Sequence, residues 1–156
     1  MAVVRSMTED DLDAVMRLEE ATAGAPRWDR AIYEGFLSEN DPLKRIFVAV
    51  EGNRLAGFAA GRVVVDVCEL ESIVVDAADR RTGVGKALLA AMADWAREHR
   101  AARIEIEVRA GNEAAICFYD HAGFGRDGLR RGYYRNPEED AILMGLELAP
   151  GGGKLS

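Results

Sequence analysis

A glycine-rich turn in the middle of the chain has the residue types that hold phosphate groups. The apolar run Ile73-Val74-Val75 ends in a short polar turn, which opens through Arg80-x-x-Gly83-x-Gly85 into a helix pattern. Unpaired N–H groups and the macrodipole at a helix N-terminus favour anions, and glycine allows a close approach to the backbone. Arg81 and Lys86 add positive charge to a chain with a net charge of −7. The turn therefore predicts a phosphate-binding loop, and an ordinary tight turn before an amphipathic helix is the alternative.

The spacing of this turn excludes two common phosphate motifs. A Walker A loop needs glycine five residues before its Gly-Lys pair and Ser or Thr after it, where this chain has Arg80 and Ala87. A dinucleotide-binding fingerprint needs a third glycine, where this chain has Leu88, and it normally follows the first strand of the fold. If the turn binds phosphate, the ligand therefore belongs to another phosphate-containing class.

Two runs of alternating residues carry carboxylates that could do acid–base chemistry. In the strand pattern Arg103–Arg109, Glu105 and Glu107 share one face and the apolar residues share the other. Glu69 and Glu71 alternate in the same way before the glycine-rich turn. Charges on a central strand are costly unless they are solvated, paired or functional, and a wet, ion-paired face is the preferred interpretation for Glu105. A carboxylate is a poor base at neutral pH unless burial raises its pKa.

The second half of the chain carries four further motifs, at Glu107–Tyr119, Ala122–Phe124, Arg130–Tyr134 and Glu139–Met144. With the glycine-rich turn, they make the chain resemble the GNAT superfamily of N-acetyltransferases. The acetyl-CoA pyrophosphate loop of that superfamily has the signature Arg/Gln-x-x-Gly-x-Gly/Ala, which Arg80, Gly83 and Gly85 match. More specifically, the chain looks like the bacterial ribosomal-protein-alanine N-acetyltransferases and their N-terminal acetyltransferase relatives. The resemblance covers roughly residues 3 to 148 and is strongest from Glu69 onward.

The resemblance implies an acetyl-CoA-dependent N-acetyltransferase that transfers the acetyl group directly to an amine in a ternary complex. The favoured acceptor is a protein N-terminal α-amine, such as the alanine of a ribosomal protein. Two alternatives stay open. One is a small-molecule amine or amino-acid N-acetyltransferase, and the other is a regulatory module that binds acyl-CoA without catalysis. The chain has a candidate for every catalytic role, which weighs against the regulatory module.

Acetyl transfer needs a group that takes the proton of the amine, stabilisation of the thioester oxygen, and an acid for the departing thiolate. The resemblance places the base at Glu107, in a Glu-Val-Arg triplet. Glu69 is the second candidate, at the position that many members of the superfamily use. Tyr119 corresponds to the general acid, although a tyrosine on a helix is also common as a core aromatic.

The resemblance also implies two sets of binding residues and no metal. The residues expected to bind acetyl-CoA, from which CoA leaves as product, are Ile73, Val74, Val75, Arg80, Arg81, Thr82, Gly83, Val84, Gly85, Lys86, Asn112 and Tyr119. Those expected to bind the acceptor are Tyr133, Tyr134, Glu71 and Trp28. The backbone N–H of Val75 corresponds to the group that stabilises the thioester oxygen, and Asn112 also suits a helix N-cap.

The chain departs from the pattern of these relatives in two places. They usually carry Phe-Pro-Trp before the second helix, where this chain has Ala25-Pro26-Arg27-Trp28. They usually carry Asn-Ile-Ala-Val before the phosphate loop, where this chain has Ser72-Ile73-Val74-Val75. These changes are compatible with acetyl-CoA binding and leave the identity of the acceptor open.

Hydrophobic periodicity predicts the elements that must position these residues. Strands are predicted at residues 2–5, 46–50, 55–65, 67–75, 103–109, 124–130 and 141–148. Helices are predicted after an N-cap at Thr8, around Trp28, Ile32 and Phe36, from residue 83 to about 98, and from Asn112 to a stop at Gly123. The resemblance implies the GNAT acyl-CoA N-acyltransferase fold, an α/β (α+β) arrangement. Its sheet is mixed, mostly antiparallel, of about seven strands, splayed at the thioester and flanked by about four helices.

Composition sets the remaining expectations. The 156 residues suit one domain, residues 1–148, followed by a flexible tail, residues 149–156. We expect a cytosolic protein, because no apolar run reaches membrane-spanning length and acidic residues occupy positions 9–11, where a signal peptide would be apolar. Cys68 and Cys117 have no metal or redox spacing and are expected to be buried thiols. The acidic charge argues against nucleic-acid binding and suits a cationic acceptor, and we expect a monomer or weak dimer.

Overall fold

The computed structural model describes residues 1–22, 25, 27–37, 41–135 and 138–149. These residues form seven strands and four α-helices. The strands are β1 Val3–Ser6, β2 Lys44–Glu51, β3 Arg54–Val64, β4 Val67–Val75, β5 Arg103–Arg109, β6 Gly125–Tyr134 and β7 Glu139–Glu147. The helices are α1 Leu12–Ala21, α2 Arg30–Glu34, α3 Val84–Glu98 and α4 Glu113–His121. Pro26 and the predicted tail, apart from Ala149, lie outside the described residues.

One mixed sheet holds all seven strands, in the order β1-β2-β3-β4-β5-β7-β6. Every neighbouring pair is antiparallel except β4 and β5, which are parallel. A parallel pair needs a crossover connection, and α3 supplies it. The predicted mixed, mostly antiparallel sheet is therefore confirmed.

The sheet opens between β4 and β5. The two strands pair only at Val67–Arg103, Cys68–Ile104 and Glu69–Glu105, although β4 continues to Val75 and β5 to Arg109. The register between β3 and β4 shifts at this point. Ala60 pairs with Ser72 and Gly61 pairs with Leu70, so Glu71 has no partner on β3 and is the extra residue of a β-bulge. A bulge bends the strand that carries it. The predicted splay of the sheet is confirmed, and it begins beside Glu69.

Two hydrophobic clusters cover the two faces of the sheet unequally. The larger one packs α3 and α4 on the sheet, with Leu88, Met92 and Ile104 fully buried. The smaller one packs α1 and α2, and its buried strand residues come from β2, β3 and β4 among the described residues. On that second face the outward residues of β5, Glu105 and Glu107, are therefore left without a helix above them.

Local signals fix both ends of α4. The Asn112 side chain accepts a hydrogen bond from the backbone N–H of Ala115 at 3.1 Å, which confirms the N-cap. At the other end the Phe124 N–H donates to the Tyr119 oxygen at 3.0 Å and the Gly123 N–H donates to the Asp120 oxygen at 3.1 Å. This is a Schellman motif, and the φ of +98° at Gly123 is why a glycine stands there.

Three local expectations differ from the structure. In α2 it is Tyr33 that is fully buried, while Ile32 is 46% exposed, because the Tyr33 hydroxyl donates to the buried Glu19 carboxylate at 2.5 Å. Strand β6 continues to Tyr134, four residues further than predicted. Cys68 is buried, but Cys117 is exposed on the solvent side of α4. Within the described part of the chain, no helix is both long and apolar enough to cross a bilayer.

Candidate active site

A cavity of about 500 Å³ lies where β4 and β5 separate. It brings together five of the residues singled out from the sequence: Glu69, Glu71, Glu107, Tyr133 and Tyr134. The apolar side chains of Leu143 and Met144 on β7 complete part of its wall. The cavity therefore combines carboxylates, phenols and an apolar surface at the split of the sheet.

Two of the carboxylates share one guanidinium. Arg62 on β3 lies 2.9 Å from the Glu69 carboxylate and 3.2 Å from that of Glu71. Burial raises the pKa of Glu71 above its ordinary value, and the negative charges of Glu69 and Glu107 add to this, against the opposing effect of Arg62. The cavity therefore makes Glu71 easier to protonate than a free glutamate. The alternation of residues could place it on this face but could not show the bulge that sets its position.

The third carboxylate, Glu107, is held from strand β6. Arg130 lies 3.7 Å from it, and the nearby Glu107 carboxylate raises the pKa of Tyr133. The Tyr134 hydroxyl donates to the Glu107 backbone oxygen at 3.2 Å. Both tyrosines predicted to contact the acceptor therefore lie beside Glu107, and Tyr133 is 45% exposed at the cavity.

Tyr119 lies on α4 in the larger hydrophobic cluster and does not line the cavity. Its ring packs between those of Phe118 and Phe124, with both centroid distances 5.1 Å. Burial raises its pKa above the ordinary value of 10.0. Among the described residues its hydroxyl has no hydrogen-bond partner. The phenol is thus held protonated, as a proton donor must be.

The glycine-rich turn connects the end of β4 to the start of α3. After Val75, a short 3-10 turn at Ala77–Asp79 leads to Gly83, the N-cap of α3, whose φ is +89°. A Cβ atom at Gly83 would meet no atom within 4 Å, so the backbone conformation and not crowding requires glycine. At Gly85 a Cβ atom would lie 3.1 Å from the Phe118 ring, so there glycine allows α3 to pack closely on α4.

An ion pair that the sequence analysis missed holds this turn. Asp79 is buried, and Arg54 at the start of β3 contacts it through two hydrogen bonds, of 2.6 and 2.7 Å. The Arg54 guanidinium lowers the pKa of the Asp79 carboxyl. The Thr82 hydroxyl donates to the Asp79 backbone oxygen. No local signal reveals the pair, because its partners are 25 residues apart.

The other predicted acetyl-CoA residues divide into exposed and packed positions. The cationic side chains of Arg80, Arg81 and Lys86 are exposed at the turn. Val74 and Val84 are buried in the two hydrophobic clusters, and Ile73 and Val75 pack against the larger one. A helix N-terminus with three exposed cations and the unpaired edge of β4 fits a phosphate-containing ligand with an extended arm.

The structure does not bring Trp28 to the cavity. Its ring stacks on Phe36 at 5.5 Å and packs on Tyr33 at 5.3 Å, and its backbone N–H donates to the Glu19 carboxylate at 2.8 Å. It borders a separate hollow of about 250 Å³ beside α1. In this arrangement Trp28 anchors the segment before α2, and its contact with an acceptor stays a prediction.

Comparison with known proteins agrees with this geometry. The family model described as Acetyltransferase (GNAT) family matches residues 11–124. The chain is 33% identical over 151 residues to the [ribosomal protein bS18]-alanine N-acetyltransferase of Escherichia coli (strain K12), covering 96% of this chain and 99% of the relative. It is 33% identical over 146 residues to the N-alpha-acetyltransferase RimI of Mycobacterium tuberculosis (strain ATCC 25618 / H37Rv), covering 90% and 89%.

A solved structure shows the same similarity in three dimensions. The crystal structure of the ribosomal-protein-S18-alanine N-acetyltransferase from Escherichia coli superposes with a TM-score of 0.82 and 32% identity, covering 100% of this chain and 99% of that one. Family match, full-length relatives and fold agree with the motifs read from the sequence. The chain belongs to the acetyltransferase (GNAT) family and is an N-acetyltransferase.

Proposed function

We propose that this N-acetyltransferase uses acetyl-CoA to acetylate the N-terminal α-amine of a protein, with the alanine of a ribosomal protein as the first acceptor to test. The full-length relatives named for that reaction support the proposal. The observation that carries it is the cavity at the split, where Glu107, Tyr133 and Tyr134 meet. Two tyrosines at an acidic cavity suit a peptide end, since aromatic rings contact a peptide chain while carboxylates attract its ammonium group.

The binding of acetyl-CoA follows from two features of the backbone. Beyond Glu69, β4 has no β5 partner, so its backbone groups at the split remain available to a ligand, including those of Ile73 and Val75. The N-terminus of α3, with Gly83 at its cap, offers N–H groups to the phosphates. When bound, acetyl-CoA supplies the thioester from which the acetyl group is taken.

Different groups of the chain carry out the remaining steps of the transfer. The carboxylates of the cavity attract the ammonium group of the acceptor and provide a site for its proton. We assign the Val75 N–H to the developing negative charge on the thioester oxygen. We assign the proton for the departing sulfur to Tyr119, whose hydroxyl is held protonated by burial. Leu143 and Met144 supply an apolar part of the cavity wall.

The test is acetyl-CoA turnover, measured by thiol release, with two sets of acceptors. One set holds short peptides with a free Ala, Ser, Met or Gly N-terminus, each beside an N-blocked control that keeps an internal lysine. The other set holds polyamines, free amino acids and aminoglycosides. We expect turnover confined to peptides with a free N-terminus. Turnover confined to small amines would reject the peptide acceptor, and acetyl-CoA binding without any turnover would indicate a regulatory module.

We also propose that the enzyme is cytosolic and works as a monomer or weak dimer. The two free cysteines of the described chain support the cytosolic location. Cell fractionation and analytical ultracentrifugation test the two expectations separately.

A further inference from the structure

We infer that Arg54 is a positioning residue for acetyl-CoA, which holds the glycine-rich turn and cancels the charge of the Asp79 carboxylate within it. This inference rests on the proposed function, because it concerns how the enzyme binds the phosphate groups of acetyl-CoA. Arg54 lies at the start of β3, outside the turn. Asp79 lies in the turn, directly before Arg80. The pair therefore joins the sheet to the part of the chain that is expected to contact phosphate.

A carboxylate at the position of Asp79 is unfavourable for phosphate binding unless its charge is cancelled. Backbone N–H groups and cations at a helix N-terminus attract anions, and a nearby negative charge opposes that attraction. The Asp79 side chain is only 8% exposed, so salt and water screen its charge weakly. The turn therefore needs a cation that pairs with Asp79 and stays with it.

Arg54 meets this need through both oxygens of the Asp79 carboxylate. Its Nη1 atom donates to Oδ2 at 2.6 Å, and its Nη2 atom donates to Oδ1 at 2.7 Å. Such a two-pronged contact fixes direction as well as distance. The same guanidinium lies 3.8 Å from the Asp76 carboxylate and 3.7 Å from that of Glu51, beyond hydrogen-bond distance. Asp79 is therefore the carboxylate that Arg54 binds directly.

The backbone of the turn is tied to the same residue. The Asp79 N–H donates to the Asp76 backbone oxygen at 2.8 Å, and the Thr82 hydroxyl donates to the Asp79 backbone oxygen. Thr82 directly precedes Gly83, the N-cap of α3. A contact that fixes Asp79 on β3 therefore also fixes the approach to the helix N-terminus, whose N–H groups are available to the phosphates.

Arg54 has a different role from the exposed cations of the turn. Arg80, Arg81 and Lys86 are exposed, and in the described part of the chain the ion pair of Asp79 is made with Arg54. Because Asp79 is already paired, the three exposed cations remain available to phosphate. Without Arg54, the carboxylate would compete with phosphate for these cations.

The first measurement is the dissociation constant of CoA, obtained by calorimetric titration without any turnover. In Arg54→Met we expect it to rise about 10-fold at low ionic strength, since an unpaired carboxylate then repels the phosphates. The rise should shrink as salt is added. In the double variant that combines Arg54→Met with Asp79→Asn the repulsion is removed, so the dissociation constant should return most of the way to the wild-type value.

Two single variants make this measurement specific. Asp79→Asn keeps an oxygen that can accept from Arg54 and removes the negative charge, so CoA should bind at least as tightly as to the wild type. Arg30→Met is the matched control, because Arg30 on α2 has the same 49% exposure as Arg54 and pairs with Asp13 at 2.8 Å. It should leave the dissociation constant of CoA unchanged.

The choice of acetyl donor gives a second readout, measured with whichever acceptor the wild-type enzyme acetylates. S-acetylpantetheine carries the thioester and the extended arm of acetyl-CoA but no phosphate group. In Arg54→Met, kcat/KM for acetyl-CoA should fall by about the same factor as CoA binding, whereas kcat/KM for S-acetylpantetheine should stay unchanged. A general loss of structure would lower both values equally.

The inference is overturned if Arg54→Met binds CoA as tightly as the wild type, if the double variant binds no better than Arg54→Met, or if both donors lose equally. If Arg54→Met does not fold, Asp79→Asn still decides. Tight CoA binding by Asp79→Asn supports the inference, and a loss of about 10-fold overturns it. A wild type that does not bind CoA would reject the proposed use of acetyl-CoA, a failure that is visible before any variant is compared.

Discussion

Replacing Tyr119 with phenylalanine should separate catalysis from folding. The substitution removes one hydroxyl and keeps the ring between Phe118 and Phe124. Because the side chain is 4% exposed and its hydroxyl has no hydrogen-bond partner among the described residues, folding loses nothing when the hydroxyl goes. Among the described residues, the Tyr119 hydroxyl is not one of the fully buried polar atoms without a partner, so the variant should be about as stable as the wild type.

Turnover, unlike stability, should fall sharply in Tyr119→Phe. A general acid contributes about 10²- to 10⁴-fold, so Tyr119→Phe should lower kcat by at least about 100-fold. The affinity for acetyl-CoA should change much less, because the ring that packs against Phe118 and Phe124 remains. Thiol release gives kcat, calorimetric titration gives the acetyl-CoA affinity, and urea unfolding gives the stability.

Tyr33→Phe is the matched control. It makes the same chemical change at a fully buried tyrosine whose hydroxyl donates to Glu19, itself 3% exposed. Losing that donor should destabilise the protein by about 1–3 kcal/mol, since a buried carboxylate loses a partner. Equal losses of kcat and acetyl-CoA affinity in Tyr119→Phe, or a stability loss like that of Tyr33→Phe, would refute the reasoning and make Tyr119 a packing residue.

Three further outcomes are expected. Arg54→Ala should raise the KM for acetyl-CoA, and urea unfolding should show that it is less stable than the wild type. Because Arg54 lowers the pKa of Asp79, this stability difference should be full above pH 3.8 and shrink as the pH falls below it. Val65→Asn should raise the midpoint of thermal unfolding, with a gain of about 1 kcal/mol, since Val65 is 89% exposed with a φ of +58°. Gly57→Ala should lower that midpoint, with a loss of about 1–3 kcal/mol, because its Cβ would lie 2.7 Å from the Val74 oxygen.

Features carried by local patterns could be predicted from the sequence. The alternation in β5, the N-cap at Asn112 and the stop at Gly123 depend on neighbouring residues, and the structure confirms all three. The helix after Gly83 was predicted for the same reason, since 3.6-residue periodicity is a local property. The family motifs then supplied the splay of the sheet, which periodicity does not contain.

Features that depend on contacts distant in the sequence could not be predicted. The bulge at Glu71 is a property of the register between β3 and β4, and either strand alone reads as regular. The ion pair of Arg54 with Asp79 joins two segments that only the folded sheet brings together. The rotation of α2 that buries Tyr33 requires the Glu19 carboxylate from another helix, and a five-residue helix has too few turns to show a stripe of its own.

The short seam between β4 and β5 also has a mechanical consequence. Only three residue pairs join these strands, at one end of the interface, so the strands on either side can rotate slightly about that end as a hinge. A ligand wedged into the open end would brace the two halves against each other. Ligand affinity then appears as resistance to unfolding, and a ligand at 100 times its Kd would add about 2.7 kcal/mol. Backbone amides along the open edges of β4 and β5 should exchange hydrogen faster in the free enzyme than in the bound one.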